Sequence, residues 1–148
     1  MMKKQGPGNA WTYQLAAGVG MALILAWPFS SAGQDIDWIR QFGTDNYDQG
    51  RSVSVDHNGN CFVAGDTGGT FPGQTNAGSA DIFVKKYNSA GDELWARQFG
   101  TYGTEYGNGT SVDTNGNIYV AGQFDYNFVL RKYDPDGNEL WTQQGPGA

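Results

Sequence analysis

The chain has 148 residues and a formal net charge of −6, with 23 glycines and 14% aromatic residues. So few cations argue against nucleic acid and anionic membrane surfaces as partners, both of which are held through Lys and Arg. Charged residues at 16% against 39% apolar ones exclude a disordered chain, and the single cysteine excludes an internal disulfide framework.

Taken in chain order, the first segment reads as an address. Lys3 and Lys4 precede an apolar stretch, Leu15–Phe29, and Ser30-Ser31-Ala32 offers small residues for cleavage after Ala32. This is the layout of a secretory signal peptide over residues 1–32. The apolar stretch is short of the roughly 20 residues a membrane span needs. The alternative is an uncleaved N-terminal anchor, which would be the chain's only route to a membrane. Export places residues 33–148 in the cell envelope or outside the cell. Loss of Lys3 and Lys4 takes the charge to −8.

The remainder repeats itself. Residues 38–65 (WIRQFGTDNYDQGRSVSVDHNGNCFVAG) align without a gap on 95–122 (WARQFGTYGTEYGNGTSVDTNGNIYVAG), an offset of 57. Residues 82–95 (IFVKKYNSAGDELW) align on 128–141 (FVLRKYDPDGNELW), an offset of 46. The difference is one insertion in the first copy, between Gly65 and Asp81, whose Gly/Thr/Asn-rich composition predicts a surface loop.

Each copy divides into four short strands: about 51–56, 60–66, 81–88 and 93–99, then 110–113, 117–123, 127–134 and 139–143. Alternation puts Cys61 with Val63, and Ile118 with Val120, on one face, and Phe62 and Tyr119 on the other. Apolar residues on both faces predict sheets covered on both sides. Asn58-Gly59 and Asn115-Gly116 predict tight hairpins in which both central residues take positive φ, and Asn88–Asp92 and Asp134–Asn138 do similar work. Four antiparallel strands in 46 to 57 residues match one propeller blade.

These motifs resemble a known family. W-x-R-Q-F-G-T, S-V-D-x-N-G-N-x-[FY]-V-A-G, F-V-x-[KR]-Y and G-[DN]-E-L-W, in that order and twice over, are similar to the bacterial seven-bladed β-propeller (SBBP) repeat. The resemblance covers about 36–143 and implies an all-β fold of about two four-stranded antiparallel blades, a partial β-propeller, with repeat one at about 38–95 and repeat two at about 95–143. It also implies an exported or envelope protein with no shared catalytic residues. Trp38–Gly43 looks like the fourth strand of a blade whose other three strands are absent. Two blades leave two apolar faces wet, so self-association or further blades are expected; two sheets packed simply face to face are the structural alternative.

No residue constellation supports an enzyme. Cys61 reads as a small buried hydrophobe and His57 as a turn residue. The calcium candidates are Asp134 and Asp136, with Asp56 and Asn58 offering fewer ligands; the spacing stops short of the twelve-residue ligand series of an EF-hand, and turn capping is the plainer reading. Asp92/Glu93 and Asp48/Glu105 are the carboxylate pairs considered for glycosidase chemistry. Lys85-Lys86 and Arg131-Lys132 predict one solvated member each and one lying along a sheet face, with cation–π contact to Trp or Tyr. The recurring Trp38, Trp95 and Trp141 predict packing between sheets over sugar stacking. The functional expectation is a non-catalytic scaffold presenting loops 44–50, 66–80 and 101–109 to a protein or glycan. The alternatives are a fragment of a propeller enzyme and a lectin-like or calcium-linked binder.

Overall fold

A computed structural model of the protein describes residues 36–145. The signal segment expected at 1–32 lies outside the described residues. Eight strands follow in chain order: β1 (Asp48–Val55), β2 (Cys61–Thr67), β3 (Asp81–Tyr87), β4 (Glu93–Phe99), β5 (Glu105–Val112), β6 (Ile118–Phe124), β7 (Asn127–Tyr133) and β8 (Glu139–Gln144). Each pairs antiparallel with its sequence neighbour, giving two four-stranded sheets, β1-β2-β3-β4 and β5-β6-β7-β8. The expected all-β fold of two propeller-type blades is the fold observed.

The first strand of each blade is longer than its sequence suggests. β1 begins at Asp48 rather than Arg51, and β5 at Glu105 rather than Thr110. Their N-terminal halves are Gly-rich and poor in β-formers, so pairing overrides propensity there. In each a bulge absorbs one residue, Arg51 between Gly50 and Ser52, and Asn108 between Gly107 and Gly109. The loops at 44–50 and 101–109 are correspondingly shorter than expected.

The hairpin turns also differ from the two-residue form. Gly59 N–H donates to Asp56 O at 3.1 Å, and Asp56 N–H to Asn60 O at 3.0 Å. Only the glycine takes positive φ, 78° at Gly59 and 81° at Gly116. This is a type I turn followed by a left-handed glycine, which closes a five-residue loop. The turns at Gly91 and Gly137 repeat it.

The core is the seam between the blades. Phe62, Ala64, Ile82, Val84 and Phe99 of blade one pack against Ile118, Val120, Phe124, Val129 and Tyr133 of blade two. Phe62 and Ile118 thus lie on opposite faces of their strands, as the alternation requires, and the two blades meet back to front. Burial of each of the Phe, Ile and Val side chains contributes about 1.5–3 kcal/mol. The seam is dressed by Trp95, which lies against Phe62 of its own blade and Tyr133 of the next, and whose indole N–H donates to Pro135 O.

Residues 36–44 repeat this on blade one without forming a strand. Trp38 stacks on Tyr87 and donates to Ser89 O, and Phe42 meets Phe83 and Tyr87. The segment behaves toward blade one as β4 does toward blade two. The insertion is not the free surface loop expected. Phe71 is buried on Phe83 and Phe42, its N–H donates to Gln98 Oε1, and Gln98 Nε2 donates to Gly69 O. An aromatic residue within a Gly/Thr-rich stretch has anchored it.

Candidate functional site

The two ends of the sheets are built differently. At one end stand the four turns 56–60, 88–92, 113–117 and 134–138, all closed in the same way. Asp134 Oδ1 accepts the N–H groups of Asp136 and Asn138, and Oδ2 accepts Asn138 Nδ2. Asp56 does the same with Asn58 and Asn60. The Asn138 amide and the surrounding N–H groups hold the Asp134 carboxyl below its usual range. The structure therefore turns Asp56 and Asp134 inward on their own backbones; Asp136 and Asn58 contribute backbone N–H groups to these turns. Between two of these turns lies a shallow groove lined by Val55, Asp56, His57, Val112, Asp113 and Thr114.

The opposite end carries the loops that do not repeat: 44–47, 68–80, 100–104 and 125–126. Tyr102 and Tyr126 are 96% and 87% exposed there, and Tyr47 and Tyr106 are partly exposed. Asp125, at φ 51°, is the only described non-glycine residue with positive φ. Its carboxylate crowds Gly103, so the two loops carrying Tyr102 and Tyr126 touch. The insertion adds Gln74, Thr75 and Asn76 to this end, with no Lys or Arg. Sequence reasoning named the first three of these loops but not 125–126, and missed the tyrosines; the signal available was that none of Tyr47, Tyr102 and Tyr126 is matched by an aromatic residue in the other copy.

At the same end of the seam, Arg51 meets Asp66. The arginine forks its Nε and Nη2 onto the carboxylate and lies over the Tyr106 ring, 5.3 Å from its centroid. Asp66 is fully buried, whereas the Arg51 side chain is 30% exposed. Blade two has Asn108 and Gln123 in the corresponding places. The bulge aims Arg51 at this contact.

Asp48 and Glu105 head β1 and β5, one blade apart. Each caps its own loop: Asp48 accepts Thr44 N–H at 2.6 Å and Glu105 accepts Thr101 N–H at 3.0 Å. The basic pairs depart from expectation, because Lys85 and Lys86 are both buried, and neither is solvated. Lys85 Nζ sits over Phe42 and Phe71 and binds Glu93 at 2.9 Å; Arg131 sits over Phe99 and binds Glu139 at 3.2 Å. Lys86 lies over Phe62 and Lys132 over Tyr119. The cation–π role holds, with phenylalanine supplying most of the rings. Cys61 is half-buried, and burial pushes its thiol up, away from the thiolate. Burial likewise pushes the Tyr133 hydroxyl up to about 12.

Comparison with known proteins agrees with this geometry. The family model described as "Beta-propeller repeat" (SBBP) matches residues 37–72 and 94–123. Each match begins in the Trp-containing segment and runs into the following blade, the phase in which Trp38 and Trp95 pack. The chain is also similar to the uncharacterized WD repeat-containing protein L264 of Acanthamoeba polyphaga mimivirus, at 28% identity over 109 aligned residues. That alignment covers 59% of this chain and 8% of the viral protein, so the chain spans a small fraction of that relative's length.

Proposed function

Because this chain carries two β-propeller repeats of the SBBP family, we propose that it is an exported, non-catalytic scaffold that works by stacking with further blades. One observation carries this reading. The back of blade one fits the front of blade two along an apolar seam. Among the described residues the front of blade one, however, is covered only over β3, by Trp38, Phe42 and Phe71. Over β1 it is open, with Val53 63% and Val55 59% exposed. Exposed sheet faces of this kind favour association. A second copy is the partner of choice, since it brings a blade of matching pattern in a head-to-tail arrangement.

Light scattering on the exported protein should then give a single species heavier than the 16.0 kDa chain. Replacing both Val53 and Val55 with lysine should return it to a folded monomer. A wild-type monomer with a sharp unfolding transition would refute stacking, and retention of the full chain in the cytosol would refute export.

The non-repeating end supports a second reading, presentation of loops to a ligand. Exposed tyrosines among Asn, Gln, Thr and Gly, with no cation besides Arg51 among the described residues there, suit a neutral glycan or polar protein surface better than an anionic one. On a glycan array, binding should fall at least tenfold in the Tyr102→Ala/Tyr126→Ala double variant while thermal stability is unchanged. Equal binding by the two proteins would rule that end out.

A further inference from the structure

Asp81 and Glu105 stand where the chain passes from blade one to blade two, and both are fully buried. They belong to different blades but flank one residue. Asp81 Oδ1 and Glu105 Oε2 each crowd the position that a Cβ on Gly100 would occupy, and so face each other across it. Glu105 accepts Thr101 N–H at 3.0 Å and the Thr101 hydroxyl at 2.6 Å. Asp81 Oδ2 accepts Ala77 N–H and Gln98 Nε2, both at 2.9 Å. Asp81 Oδ1 is buried without a hydrogen-bond partner. Both groups serve as acceptors only, as carboxylates do.

Two buried negative charges side by side require compensation. Among the described residues no side chain supplies it. Each of the seven Lys and Arg residues between 36 and 145 is engaged elsewhere, on Asp66, Asp92, Asp113, Glu93, Glu139 or the carbonyls of the 134–138 turn.

We propose that Asp81 and Glu105 bind a calcium ion that ties the two blades together at this joint. The facing donors are oxygens, which select a hard cation, and two carboxylates balance a double positive charge. The docked loops bring the Ala80 and Gly103 carbonyls to the same joint, where they accept Glu105 N–H at 3.0 Å and Ser79 N–H at 2.8 Å and keep a lone pair each. Magnesium holds its waters and demands octahedral geometry, so a closed joint suits calcium better. The site is not a property of the repeat, because Asn127 takes the place of Asp81 in blade two. It is also distinct from the Asp56 and Asp134 turns, whose carboxylates are engaged by backbone N–H groups and an Asn amide of their own turns.

The test uses the full chain and two readouts. Terbium luminescence sensitised by the protein's aromatic residues should titrate to one ion per chain and be displaced by calcium. Calcium should raise the melting temperature over that in chelator, by roughly 10 °C at a hundredfold excess over Kd. Asp81→Asn and Glu105→Gln should abolish both responses, and Asp134→Asn should leave them intact. The proposal is overturned if wild type binds no terbium, if calcium gives no shift, or if the responses survive both seam variants. It is equally overturned if Asp81→Asn is more stable than wild type while wild type ignores calcium, the result expected of a pair bridged by a proton or a water.

Discussion

Alanine at Gly107 should destabilise the protein by about 3 kcal/mol, at the upper end of overpacking costs, while alanine at Gly109, two residues on, should be nearly neutral. A Cβ at Gly107 would overlap Gly65 O of the other blade and come within 2.8 Å of Ile82 Cγ2. The first obstacle is backbone and cannot rotate away, so the blades must separate. At Gly109 a Cβ meets nothing within 4 Å. Neighbouring glycines allow close approach within a blade as well: a Cβ at Gly65 would overlap Gln49 O, and one at Gly122 would meet Tyr106 O besides Ile82 Cδ1 across the seam. At Gly65, Gly107 and Gly122 glycine serves close approach, and none of the three has the positive φ of the turns. Urea unfolding of the two single variants checks this; equal midpoints would mean the blades are not in backbone contact at Gly107.

Arg51→Ala should cost about 2–3 kcal/mol. Removing one partner of a buried pair costs about 3–5 kcal/mol, reduced here because the Arg51 side chain is 30% exposed and solvent screens it. The loss arises mainly from Asp66, whose side chain hydrogen-bonds to no described residue besides Arg51 and is fully buried. Asp66→Asn in the Arg51→Ala background should therefore recover much of the stability, because the amide carries no charge to strand. Arg51→Lys should fall between, as an ammonium cannot reproduce the two-pronged contact or the stacking on Tyr106. A double-mutant cycle by thermal unfolding reads the coupling, and purely additive effects would contradict the pairing.

Much of this fold was legible in the sequence because its repeat exposes the same solution twice. The 57-residue offset located the strands, the Asx-Gly turns and the alternation that puts Phe62 and Ile118 on opposite faces. What escaped was whatever depends on the seam and not on a blade. The N-terminal halves of β1 and β5 are Gly-rich, so local propensity hid strands that pairing with β2 and β6 enforces. Alternation allows only one of Lys85 and Lys86 to lie along a sheet face, and both prove buried once the rings of Phe42, Phe71 and Phe62 and the carboxylate of Glu93 are placed around them. Asp81 and Glu105 lie 24 positions apart in different copies, and no periodicity links them. The one available hint was negative: Asp81 and Arg51 are places where the copies disagree.

The turns at 56–60, 88–92, 113–117 and 134–138 are sealed by hydrogen bonds spanning no more than four residues. Every strand also pairs only with its immediate successor or predecessor in the chain. Most of the ordering entropy within a sheet is thus met by short loops, and low sequence separation makes such pairings fast. A single meander can take shape as it leaves the ribosome, before its neighbour exists. Cohesion between meanders is then the late and slow event, and a variant at Gly107 should accelerate unfolding far more than it retards the early pairing.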